Sequence, residues 1–157
     1  MSALDLTIGI DPGKTGAIAF LDPDGHLIDI ADMPPATGAA LGACLRELLA
    51  DHSPHRITAA WVEQVGYMPG QRGGWTFAEG YGAILGALGA LAIPVHHVTA
   101  AHWKRTQRVT KDKTSSRQRA IELHPDAAAR FARVRDDGRA EAVLIARHGQ
   151  MARPEGT

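Results

Sequence analysis

Cysteine is nearly absent from this 157-residue chain: Cys44 stands alone. No disulfide can form within it, and a reducing compartment is expected. Long hydrophobic runs are missing as well. The longest uncharged apolar stretch runs from Gly80 to Val98 and is broken by glycine and proline; its core, Tyr81 to Ile93, is too short to span a bilayer. The opening MSALDLT has no basic segment of the secretory kind. Histidine and cysteine nowhere cluster at zinc-ligand spacing. His96 and His97 are neighbours on a strand pattern and so point to opposite faces, while His102 and His124 lack partners; His102 is kept only as a phosphate-contact candidate. There is no internal repeat and no low-complexity tract. These absences leave one expectation, a cytosolic protein without a membrane span.

The chain has the size of one domain with one core: residues 1–150 are taken as that domain and 151–157 as a frayed tail. Hydrophobic residues make up 45% and charged residues 22%, so a globular core is affordable in composition. Net charge is zero, but it is unevenly spread. Residues 1–63 hold three Lys/Arg against nine Asp/Glu, and residues 102–157 hold thirteen against seven. The densest basic segment carries Lys104, Arg105, Arg108, Lys111, Lys113, Arg117 and Arg119 against Asp112 alone. Such a stripe suits phosphate binding, and it equally suits a solvated helix face.

The local patterns order themselves as β-β-β-α-β-α-β followed by helices. LTIGI, GAIAFLD and HLIDIADM read as strands, the last two joined by a Pro23-Asp24-Gly25 hairpin turn. Residues 37–51 show helical spacing with Leu41, Cys44, Leu45, Leu48 and Leu49 on one face. ITAAWVE is a buried strand, 66–74 a glycine-rich loop, 76–92 a helix containing Gly80, Gly82, Gly86 and Gly89, and VHHVT a further strand. Glycines in such a helix lower its propensity and allow close backbone approach, by a sheet or by a second subunit. A short helix over 100–105, a loop through Lys113, a helix over 115–123 and a last helix from about Asp136 to Gly149 complete the chain. The fold class is α/β, a mixed five-stranded sheet flanked by helices.

Four carboxylates stand out against this frame. Asp11 ends the first strand and is followed by Pro12-Gly13-Lys14-Thr15-Gly16; Glu63 ends the fourth. Asp137 and Glu141 lie one turn apart at the start of the last apolar helix. Acids at strand ends point into the crevice where α/β sheets bind ligands. Four carboxylates converging on one point need cations between them, and magnesium is the hard ion that prefers such oxygens. Two ions in that setting suit in-line attack on a phosphodiester. Blander readings stand beside each: Asp11 as a turn aspartate, Glu63 as an edge acid paired to Arg or Lys, Asp136 or Asp137 as a helix cap.

The ordered set IGIDPGKTGAIAFLD, WVEQVGYMPG, WTFAEGYGAILGALGALAIPVHHVTAAHWKR, KDKTSSRQRAIELHP and DDGRAEAVLIARHG resembles the RuvC-type Holliday junction resolvases of the ribonuclease H-like superfamily, in its phage and mitochondrial branch. The resemblance implies metal ligands at Asp11, Glu63, Asp137 and Glu141, with two Mg2+ per site and Mn2+ as a substitute. Bacterial members carry Asp-x-x-Asp in the last helix; the Asp137/Glu141 spacing here resembles the mitochondrial branch, and Asp136 competes with Asp137 for the third position. Lys104 and Lys113 align with basic residues flanking the active site, Lys113 as a catalytic charge stabiliser. Arg105, Arg108, Lys111 and Arg117 are expected on the DNA backbone. Tyr67 is expected to wedge into the junction centre, with Met68 and Trp75 as competitors. The implied activity is a homodimeric crossover junction endonuclease nicking two opposed strands symmetrically, in a host cytosol if phage-encoded. An RNA-processing nuclease of the same fold and a catalytically silent junction-binding module remain alternatives. The opening Asp-x-Gly-x-Thr-Gly also begins actin-like and sugar-kinase folds, but their duplicated second half has no room here, so no nucleotide cofactor is expected.

Overall fold

The computed structural model describes residues 2–66 and 69–152. Five strands form one sheet in the order β3-β2-β1-β4-β5. They are β1 (Asp5–Asp11), β2 (Ala17–Leu21), β3 (Leu27–Asp32), β4 (Arg56–Gln64) and β5 (Val95–Thr99). β1 to β3 form an antiparallel meander, and β4 and β5 join parallel to β1 after helical crossovers, so the sheet is mixed as expected. The helices are α1 (Gly38–Ala50), α2 (Gly74–Ala90), α3 (Ala100–Gln107), α4 (Lys113–Leu123) and α5 (Asp137–Met151). Among the described residues no helix is long and apolar enough to cross a membrane.

The period of two in β1 and β2 decides which helix covers which face. Leu6, Ile8, Ile10, Ile18 and Phe20 turn to one side and pack with Leu41, Leu45 and Leu49 of α1 and Ile84 and Leu88 of α2. Each such side chain, fully buried, contributes about 1.5–3 kcal/mol. The other side is lined by small residues, Gly9, Ala17 and Ala19, and receives α5 through Ala140, Ala142 and Val143. Smallness is required there. A Cβ on Gly9 would collide with the backbone of Ala142 and Ala146, and one on Gly138 with the carbonyl of Thr15. α5 therefore lies directly on the centre of the sheet, with its first turn seated on the β1–β2 turn.

Several boundaries differ from the expectation. α4 begins at Lys113 because the Asp112 side chain accepts the Thr114 N–H at 2.9 Å, a cap that takes Lys113 out of the loop. α3 runs on to Gln107 and α2 starts at Gly74 and stops at Ala90. α5 continues through Gly149 to Met151, since Gly149 packs against the Trp61 ring. The stretch between α4 and α5 winds into 3-10 turns over Pro125–Phe131 and Val134–Asp136. Cys44 is exposed rather than on the buried face of α1. In α2, Gly80 lies near Leu41, but a Cβ on Gly82, Gly86 or Gly89 would meet nothing within 4 Å, so these three glycines serve no packing among the described residues.

Candidate active site

Asp11 and Glu63 follow directly on Ile10 and Val62, which pair in register between parallel β1 and β4. They share the face that carries Gly9 and Trp61, the face covered by α5. Glu141 looks down from the first turns of that helix and is 6% exposed. Three carboxyl groups from β1, β4 and α5 thus approach one another at the end of the sheet. Burial pushes the Asp11 carboxyl up to about 8, helped by the negative charges of Glu141 and Glu63 and opposed by Lys113 and Lys104.

Glu63 is also raised, first by burial and then by Glu141, although its Oε2 accepts a 2.6 Å hydrogen bond from Trp103 Nε1. Trp103 is fully buried among Val98, Leu144 and Ile145, so this donor is fixed in place. Lys104, the next residue of α3, brings Nζ to 3.4 Å from Glu141 Oε1 and to 5.1 Å from the Trp103 ring centre. Despite that ion pair, Glu141 Oε1 is buried and without a hydrogen bond. Lys113 opens α4, is exposed, and lies near enough to Asp11 and Glu63 to oppose the rise of both.

Asp136 and Asp137 separate at the start of α5. Asp136 is 1% exposed and accepts hydrogen bonds from the Arg133 backbone and guanidinium. That contact holds its carboxyl below the usual range. It faces away from the three acids. Asp137 turns toward α4, where its Oδ1 lies 2.8 Å from Arg117 Nε without hydrogen-bond alignment, and both atoms are buried and otherwise unpartnered. Arg117, expected on a DNA backbone, is thus an inward ion partner here. Arg105, Arg108 and Lys111 are exposed and make no ion pair among the described residues. Tyr67 and Met68 lie outside the described residues. Trp75, at the start of α2, is 84% exposed, so it is not a core residue.

The donor set fits a hard divalent cation. Three hard oxygen donors converge, one is pushed up by burial and by the other two, and Glu141 and Asp137 each keep a buried oxygen with no hydrogen-bond donor. No three of these side chains, however, place their oxygens within 4.8 Å of one another. Uncompensated carboxylates repel, and Trp103, Lys104 and Arg117 each draw one acid aside. Among the described residues that tight grouping occurs only at Asp22, Asp24 and His26 in the β2–β3 turn. There the Asp22 Oδ1 accepts the Asp24 and His26 N–H groups at 3.0 and 2.8 Å, the bonds of a turn.

The histidines split as their strand position requires. His96 stacks on Trp61 at 4.8 Å, while the His97 Nδ1 lies 2.9 Å from the Tyr81 hydroxyl on the opposite side of the sheet. His102 is exposed and edges toward the buried His148 at 5.0 Å. Two residues near the acids escaped the sequence argument. Trp103 and Tyr81, whose hydroxyl feels the charge of Glu63, lie on α3 and α2. Only the position of Trp103 beside Lys104 hinted at the first.

No protein-family profile and no curated protein sequence matches the chain. Solved structures do. A Thermus thermophilus RuvC in complex with a Holliday junction substrate superposes with a TM-score of 0.67 at 18% identity, over 95% of each chain. A second Thermus thermophilus RuvC structure gives 0.62 at 19% identity, over 94% of this chain and 95% of the other. The shared architecture is the ribonuclease H-like one: a mixed five-stranded sheet flanked by helices.

Proposed function

We propose that this chain is a RuvC-type, metal-dependent endonuclease that resolves four-way DNA junctions by paired symmetric nicks. The observation that carries the proposal is the meeting of Asp11, Glu63 and Glu141 beside Lys104 and Lys113, with Asp11 raised to about 8 by burial and by the two other acids. That arrangement sits on a fold shared with a protein solved on a Holliday junction.

Asp11, Glu63 and Glu141 are the residues that would hold Mg2+, with Mn2+ as a substitute, and Asp137 would join them on release from Arg117. When bound, such ions make a hydroxide-like nucleophile available at neutral pH and neutralise charge on the phosphate. The chain's own residues prepare this. Trp103 holds Glu63 in one orientation; Lys104 balances Glu141 and, with a cation taking over that carboxylate, would be free to meet a phosphate oxygen. Lys113, exposed near the acids, would stabilise negative charge developing on the reacting phosphate. Arg105, Arg108 and Lys111 extend the positive rim along α3 and the α3–α4 loop and would position the backbone without reading bases. The products would be a 5′ phosphate and a 3′ hydroxyl.

A four-way junction has two-fold symmetry, so two sites in a C2 homodimer would reach two opposed strands. The glycine face of α2, open around Gly82, Gly86 and Gly89, is the surface we assign to that contact. The test is incubation with a labelled synthetic four-way junction and with linear duplex of the same sequence, with and without magnesium. Metal-dependent cutting of the junction alone supports the proposal. Tight junction binding without cutting in either magnesium or manganese would leave a silent binding module instead.

A further inference from the structure

On the other side of the start of α5 lies a recess of about 390 Å³ that the acid cluster does not use. Its walls are the β1–β2 turn, the end of β3 and the 3-10 turn before α5. Lys14, Arg133, Arg135 and Arg139 line it together with Asp32 and Asp136, so four cationic side chains face two carboxylates. We propose that this recess is a second anion subsite, which holds a backbone phosphate of the nucleic-acid strand passing the acid cluster. The inference rests on the nucleic-acid reading above and assigns that reading a contact outside the α3–α4 rim.

The arginines are arranged rather than loose. Asp136, its side chain 2% exposed, lies 2.9 Å from Arg133 Nη2 and accepts from Arg133 Nε as well. Asp32 takes Arg139 in a two-point grip, Nε at 2.6 Å and Nη2 at 2.7 Å, and Arg139 Nη1 stands 3.8 Å from Asp136. The Nη1 group of each arginine donates to no described residue, so each fixed fork keeps N–H groups for a further acceptor. Guanidinium groups held this way lose little freedom on meeting a phosphate. Lys14 and Arg135 are exposed and enter no ion pair among the described residues. They supply the two uncompensated charges. A merely solvated patch has no buried carboxylate steering its arginines.

Position ties the recess to the acids. Gly16 lines it, stacks under Gly138, and sits against the Asp11 carbonyl. Asp136 lines the recess, and Glu141, one of the three acids, follows on the same helix start. One strand can therefore be held on both sides of the α5 terminus, which fixes the direction in which it crosses the site.

The test compares the wild type, the double variant K14Q/R135Q and the control R56Q, an exposed arginine at the start of β4, the end of that strand opposite Glu63. Binding to a labelled four-way junction is measured without divalent metal, across a series of salt concentrations. Each lost phosphate contact flattens the slope of log K against log salt by about 0.7–0.9. The double variant is expected to lose about 0.7–0.9 of slope, one phosphate contact, and about tenfold in affinity at moderate salt, with R56Q unchanged. A double variant with wild-type slope and affinity overturns the subsite. In parallel, inorganic phosphate is titrated while the Arg side-chain N–H signals are followed by NMR. Saturable shifts that vanish in the double variant, with junction binding unaltered, would make it a small-anion site and also overturn the proposal. Because no metal is present, the result stands apart from cutting: a wild type that shows the slope effect but never cleaves keeps the subsite and loses the nuclease.

Discussion

Replacing Asp11 by Asn should stabilise the metal-free protein, and the gain should grow with pH. Asp11 has its carboxyl raised from 3.8 to about 8 by burial and by Glu141 and Glu63. A raised acid favours the folded state's protonated form, so its penalty is absent below about pH 4, where both states are protonated. The penalty rises between about 4 and 8 as the unfolded chain ionises and the folded one resists, and it is constant above about 8. At ~1.4 kcal/mol per unit the ceiling is about 6 kcal/mol. Asp11 keeps some contact with solvent, and Lys104 and Lys113 can shift toward it, so about 2 kcal/mol is the working figure. For a chain of this size that is a rise in Tm of about 4–8 °C at pH 8.5, shrinking to about a third of that at pH 5. Thermal unfolding in a chelator at the two pH values measures it. Magnesium should then raise the Tm of the wild type and leave D11N nearly unmoved. A D11N variant no more stable than wild type at pH 8.5, or a gap independent of pH, would refute the account of a repulsive acid cluster.

Glu141→Gln should abolish junction cutting while leaving junction affinity within about twofold, because it removes a ligand and retains the volume; gel shift and cleavage on one preparation check both. Trp103→Phe removes the 2.6 Å donor to Glu63 and should cost about 1–3 kcal/mol, read from denaturant unfolding. It should also raise Glu63 further, shifting the acidic limb of the cleavage profile to higher pH. Gly138→Ala forces a methyl into the Thr15 carbonyl and should lower the Tm by several degrees and cutting by at least tenfold, since it lifts the first turn of α5 off the β1–β2 turn.

Much of this architecture was legible because period-two burial and turn chemistry are local. LTIGID, GAIAFLD and ITAAWVE are strands since their apolar residues sit on two covered faces, and Pro23-Asp24-Gly25 makes the hairpin that its residue types dictate. Asp11 and Glu63 were legible for a related reason: an acid at the end of a buried strand is rare enough to notice. What stayed hidden depends on contacts between distant residues. Asp136 and Asp137 look equivalent in a string, and only the 3-10 turn that swings Arg133 beneath Asp136 tells them apart. Arg117 looked like part of a basic stripe, yet helix α4 turns it inward to Asp137. The glycines of α2 signalled close approach, but among the described residues Gly82, Gly86 and Gly89 meet no neighbour. The Trp103–Glu63 bond joins residues forty positions apart and leaves no trace in spacing.

The most direct test of the central claim is to map the cuts on a four-way junction whose strands are labelled one at a time, incubated with wild type and magnesium. Nicks at matching positions on two opposed strands, with 5′ phosphate and 3′ hydroxyl ends and none on linear duplex, are the predicted result. Cuts scattered over junction and duplex alike, or none in any divalent metal, would contradict it.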